Sequence, residues 1–118
     1  MKIEIDRVRI SATGRQQLIQ IKRRTRIEQY NIICRHALVM SLEEKTNPPV
    51  ENLNMSGGLE IDWKVFCGGE VGVYYNLLVM RCVQEGKEIT PENLKLLLTL
   101  HLHRGLSYLN SNSDLIFS

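Results

Sequence analysis

Residues 6–26 read DRVRISATGRQQLIQIKRRTR, and this stretch decides the fold. From Asp6 to Ser11 the side chains alternate: Val8 and Ile10 fall on one face, Arg7, Arg9 and Ser11 on the other. A period of two is that of a strand with one buried face. Ile3 and Ile5 suggest an earlier extended stretch in the opposite phase. Ser11 has the short hydroxyl side chain that caps a helix N-terminus. Leu18, Ile21 and Thr25 then recur at i, i+3 and i+7 and form a core-facing stripe, which predicts a helix opening at Ala12. Gly14 weakens its first turn slightly. At 100° per residue, Arg15, Lys22 and Arg26 lie within about 40° of one another beside that stripe. Arg23 and Arg24 spread round the rest of the surface.

Working outward, Thr25 to Glu28 reads as a tight break. A second helix follows from about Glu28 to Leu42, with Tyr30, Ile32, Ile33, Cys34, Ala37, Leu38, Val39, Met40 and Leu42. A helix apolar almost all round is buried on more than one side. In so short a chain that implies a subunit interface, hence a homo-oligomer, dimer or tetramer. Pro48-Pro49 forbids helix continuation, and residues 50–60, with Gly57-Gly58, read as a loop. Ile61, Trp63 and Val65 alternate with Asp62, Lys64 and Phe66, which predicts a second strand. Residues 71–84 predict a helix, and Thr90-Pro91-Glu92 opens another: a cap, a first-turn proline and an acid at the positive dipole end. Its core face carries Leu94, Leu97, Leu98, His101 and Leu102, with Gly105 as an end or kink. Residues 110–114 are expected to fray as a polar tail. The predicted class is therefore mainly α with short β-strands, in one domain. A ribbon-helix-helix-like N-terminal half (1–47) is followed by a loop and short strand (48–70), a helical pair (71–109) and a tail (110–118).

The 118 residues are 43% hydrophobic and 24% charged, an ordinary globular composition. No apolar run approaches the roughly 20 residues that span a bilayer, and residues 1–6 have no signal-peptide pattern. A cytoplasmic protein is expected. Cys34, Cys67 and Cys82 are odd in number and form no CxxC pair, which suits reduced, buried thiols. The net charge of +2 conceals an asymmetry. Residues 1–26 carry eight basic and two acidic groups, a net +6; residues 27–118 carry seven basic and eleven acidic, a net −4. Such asymmetry points to a polyanion partner.

Signatures of catalysis are missing: there is no GxxxxGK[ST], no GxGxxG, no HExxH and no GxSxG. Gly68-Gly69-Glu70-Val71-Gly72 reads as a turn, since no Lys-Ser/Thr adjoins it. His101 and His103, two apart on a helix, point away from each other and cannot chelate one ion together. The cysteines lack finger-like spacing. No catalytic residue, cofactor or metal is expected.

A strand with outward arginines, a helix, a tight turn and an apolar second helix is the order of ribbon-helix-helix proteins. In those, Arg7 and Arg9 would face the DNA and the arginine-rich helix would touch phosphate. A solvated edge strand is the plainer reading of the same two arginines. Three further segments are Leu18-Ile19-Gln20-Ile21-Lys22-Arg23-Arg24-Thr25; Cys34-Arg35-His36-Ala37-Leu38 with Ser41-Leu42-Glu43-Glu44; and His101-Leu102-His103-Arg104-Gly105-Leu106. In these the chain resembles the DndE family of DNA sulfur modification proteins. The likeness runs from about residue 6 to 109. Arg26 departs from it, standing where a glycine is expected. The resemblance implies a part in DNA phosphorothioation, a process linked to bacterial restriction–modification. Its sulfur chemistry belongs to partner proteins: a cysteine desulfurase, an iron–sulfur protein and an ATPase-like protein.

These readings converge on a non-catalytic subunit of the phosphorothioation machinery. It would bind the backbone of double-stranded DNA through Arg7, Arg9, Arg15, Lys22, Arg23, Arg24 and Arg26, with little sequence preference. The alternatives are a ribbon-helix-helix transcription regulator and a scaffold that binds only proteins.

Overall fold

The computed structural model describes residues 5–117, without the side chains of Leu115 and Phe117. The readings at Lys2, Ile3 and Glu4 lie outside the described residues.

Strand β1 (Arg7–Ile10) buries Val8 and Ile10 and exposes Arg7 and Arg9, as the alternation requires. Ser11 then caps α1 (Ala12–Thr25), its hydroxyl accepting the Gly14 N–H at 3.0 Å. Leu18 and Ile21 are fully buried on the inner side of α1. Arg26 ends α1 in the left-handed region, at φ +62°. Helix α2 (Tyr30–Glu43) follows.

Helix α5 (Pro91–Ser111) is the axis of the molecule, with α2, α1, α4 (Val71–Gln84) and β1 packed round it. Thr90 caps it as predicted, accepting the Asn93 N–H at 3.1 Å. Ile33, Cys34, Ala37, Leu38 and Ser41 of α2 are all buried within this one chain, against α5, α1 and a short helix, α3 (Trp63–Cys67). Most of the apolar surface that implied a subunit interface is therefore covered from inside.

Three expectations need correction. Residues 63–67 form α3, not a strand: β2 is confined to Leu59–Asp62. Asp62 caps α3 by accepting the Lys64 N–H at 3.1 Å, and Trp63 and Phe66, three apart, turn together into the core with stacked rings 5.5 Å between centroids. Gly105 neither ends nor visibly interrupts α5. It lies where α2 comes closest, and a Cβ there would collide with the Ala37 carbonyl. The segment 110–114 is not a frayed tail: Asn110 and Ser111 complete α5, and a 3₁₀ turn over Ser113–Phe117 buries Ser113 and Ile116.

The ribbon forms inside the chain. β1 and β2 are antiparallel, with Arg7 opposite Asp62, Val8 opposite Ile61, Arg9 opposite Glu60 and Ile10 opposite Leu59. Among the described residues no helix is long and apolar enough to cross a membrane.

Candidate nucleic-acid interface

The seven basic residues singled out by the sequence fall into three groups. Arg7 and Arg9 project from the outer face of the ribbon, where β2 meets them with acids. The Arg7 guanidinium lies 2.9 Å from Glu60 Oε2, and Arg9 Nε lies 3.5 Å from Oε1 of the same carboxylate. Asp62 stands opposite Arg7. The Glu60 hydrogen bond and its charge hold the Arg7 guanidinium above its ordinary pKa. Two arginines facing two carboxylates leave this surface close to neutral.

Arg24 is committed elsewhere. Its guanidinium donates to the Asn110 carbonyl at 2.6 Å and to Ser113 Oγ at 3.4 Å, tying α1 to the far end of α5. This is one reason the C-terminal segment stays packed.

Arg15, Lys22, Arg23 and Arg26 form the third group. Arg15, Arg23 and Arg26 are exposed, and Lys22 is half-buried with its ammonium 5.3 Å from the Tyr30 ring centroid. None of the four makes an ion pair with an acid among the described residues. Arg15 and Lys22 lie about 10 Å apart along one side of α1, at 1.5 Å per residue. Three basic residues, Lys22, Arg23 and Arg24, also crowd the last turn, where cations favour the negative end of the helix dipole.

The sequence reading missed Glu60 and Asp62 as counter-charges. The signal was the alternation Leu59-Glu60-Ile61-Asp62, which places both acids on one face. It could be used only once β2 was known to lie beside β1.

The histidine motif proves to be an internal joint. His101 is fully buried; Nδ1 is 2.8 Å from Ser41 Oγ and Nε2 is 2.8 Å from Glu85 Oε2. His103 Nε2 accepts the Ser11 N–H at 3.0 Å, so Nδ1 carries the proton and donates to the Thr99 carbonyl at 2.7 Å. All four ring nitrogens are thus occupied. Arg104 donates to Ser41 Oγ at 2.8 Å, to the Ser41 carbonyl at 2.8 Å and to the Thr46 carbonyl at 3.0 Å. Arg81 donates to the carbonyls of Leu42, Glu44 and Thr46 at 2.7–2.9 Å and pairs with Glu85 at 2.8 Å. Two guanidiniums therefore bind carbonyls of the last turn of α2, Ser41 and Leu42, and of the segment just after it, Glu44 and Thr46.

Ser41, His101 and Glu85 lie in the row that acyl-transfer enzymes use. Here Ser41 has no exposed surface and already accepts from Arg104, so no substrate reaches its oxygen. Burial also pushes the Cys34 and Cys67 thiols up to about 12, away from the reactive thiolate.

Fold and site together define a small, mainly helical protein with a two-stranded ribbon and one cation-rich helix face. The family model described as DNA sulphur modification protein DndE matches residues 7–116, and the chain belongs to that family. Membership gives it a role in DNA sulfur modification. The fold is similar to a solved structure described as DndE from Escherichia coli B7A involved in DNA phosphorothioation modification. The TM-score is 0.75 at 21% identity, over 92% of this chain and 98% of that one. No curated protein matches the chain.

Proposed function

We propose that this chain is a non-catalytic, cytoplasmic DNA-binding subunit of the sulfur-modification machinery. It holds the phosphate backbone of double-stranded DNA with little sequence preference while other proteins of the pathway perform the chemistry. The observation that carries this reading is the set of α1 cations, Arg15, Lys22, Arg23 and Arg26, left without acidic partners beside a ribbon whose arginines are neutralised. Lys and Arg contacts to phosphate position a protein on the duplex and carry no sequence information directly. The neighbour's described involvement in phosphorothioation is consistent with this role.

The regulator reading requires Arg7, Arg9 and Ser11 to read base edges. Glu60 engages both arginines, and Ser11 is buried as the α1 cap, so nothing in the geometry favours it. Self-association belongs to the proposal too. Its support is now the exposed apolar strip Val73, Met80 and Val83 on α4, which a second copy would cover.

The test replaces Arg15, Lys22, Arg23 and Arg26 by Ala and leaves Arg24 in place for the fold. The account expects the variant to assemble with the other modification proteins and to lose DNA sulfur modification. Full modification by the variant would assign the chain to protein scaffolding instead.

A further inference from the structure

We propose that Glu60 limits the affinity of this protein for DNA by occupying, between Arg7 and Arg9, the place of a backbone phosphate. The inference rests on the reading of the chain as a DNA-binding subunit and names a residue that restrains that activity.

The sheet register creates the arrangement. Arg9 stands directly opposite Glu60, and Arg7 is two positions along on the same face. Val8 and Ile10 fix that face outward by filling the core on the other side. The carboxylate is shared: Oε2 meets Arg7 at 2.9 Å and Oε1 meets Arg9 at 3.5 Å. Asp62 and Asp6 also act on Arg7 through their charge. Among the described residues only Glu60 comes within ion-pair distance of both arginines.

A carboxylate and a phosphodiester present the same two-oxygen edge to a guanidinium. The three side chains are 69%, 60% and 43% exposed, so a duplex reaching the ribbon meets this cluster directly. Exposed ion pairs are weak and screened by salt. Phosphate can therefore displace Glu60, but it must first part the pair and then face an unpaired carboxylate. With Glu60 in place the ribbon adds little to binding. With the charge removed, two further guanidiniums join the α1 cations.

The experiment compares the wild-type chain with Glu60→Gln, Glu60→Ala, Arg7→Ala/Arg9→Ala, and Glu60→Gln in that Arg7→Ala/Arg9→Ala background. Each is titrated with a random-sequence duplex oligonucleotide across a salt series, after thermal melts establish folding. Both Glu60 variants are expected to bind about tenfold tighter at low salt. Their log–log salt slope should steepen by roughly one to two, at about 0.9 per added phosphate. Removing Arg7 and Arg9 should abolish the gain, as coupled residues in a mutant cycle must. Binding by the Glu60 variants alone, with none by the wild type, also supports the proposal. Equal affinity and slope in wild type and variants overturns it and leaves the DNA-binding reading standing. A gain that survives loss of both arginines overturns it as well, since the carboxylate would then act only by repulsion. Absence of binding by every variant at low salt overturns both.

Discussion

Arg26 holds a backbone conformation that side chains disfavour. Its φ of +62° is the one positive value at a non-glycine position among the described residues. The left-handed region costs an L-residue roughly 1–2 kcal/mol. Glycine would relieve that cost but lose roughly 0.5–1 kcal/mol through greater freedom in the unfolded chain. Arg26→Gly should accordingly keep stability or raise it by up to about 1.5 kcal/mol, while Arg26→Val lowers it, in urea melts. The glycine variant should also lose one phosphate contact, flattening the salt slope by about 0.9. The sequence reading marked this position as one expecting glycine. It also counted the Arg26 charge among the DNA contacts; what a pattern of residue types could not supply was the left-handed turn on which that charge is held.

The buried histidines make a second residue-level prediction. Burial pushes the pKa values of His101 and His103 down, against the pull of Glu85 on the first and the Thr99 carbonyl on the second. The fold therefore favours neutral rings. Their contribution to stability is complete above the ordinary histidine value of 6.5 and is lost as pH falls below it toward the lowered folded values. For Glu85, burial works upward, but hydrogen bonds from His101 and Arg81 outweigh it and hold the carboxyl below 4.5. That contribution is present above 4.5 and fails as pH drops through the folded value, so both effects make acid destabilising. The urea midpoint should fall steadily from about pH 7 to about pH 5; a level profile over that window would contradict the buried neutral rings.

At the scale of elements, the joint between α2 and α5 holds the molecule together. Gly105 permits their approach and Arg81 and Arg104 seal the end of α2. Gly105→Ala should improve helix propensity by about 1 kcal/mol, yet destabilise the protein by about 1–3 kcal/mol, because the Ala37 backbone must move. Gly72→Ala on α4 meets nothing within 4 Å and should stabilise by about 0.5–1 kcal/mol. Thermal melts of the pair check both signs. Most elements were legible: the alternation of β1, the caps at Ser11 and Thr90 and the apolar periods set by local chemistry. The failures have physical reasons. Trp63, Val65 and Phe66 fit either a period of two or a spacing of three, and the Asp62 cap decides for the helix. Gly105 looked like a stop because nothing local shows which helix passes over it.

For the whole molecule, the separation of charge was visible in the chain and the way folding sorts it was not. Arg7 and Glu60 are 53 positions apart, Ser41 and His101 are 60 apart, and Arg24 and Asn110 are 86 apart. No local period encodes such pairings. They leave the acid-free positive charge on α1, and they bury Cys34, Ala37, Leu38, Ser41, His101 and Leu102 of the family-like segments in a packed joint, while His36, Glu43 and Glu44 stay exposed. The proposed DNA contact therefore rests on α1, and the most direct test is the salt dependence of binding. Random-sequence duplex is titrated with the wild-type chain and with an Arg15→Ala/Arg23→Ala/Arg26→Ala variant. With four phosphates neutralised by α1, the wild-type log–log slope should lie near about −3.6, and the variant's near about −0.9. Affinity should be similar for unrelated sequences. No binding at low salt, a salt-independent affinity, or a variant that binds as the wild type does would contradict the account.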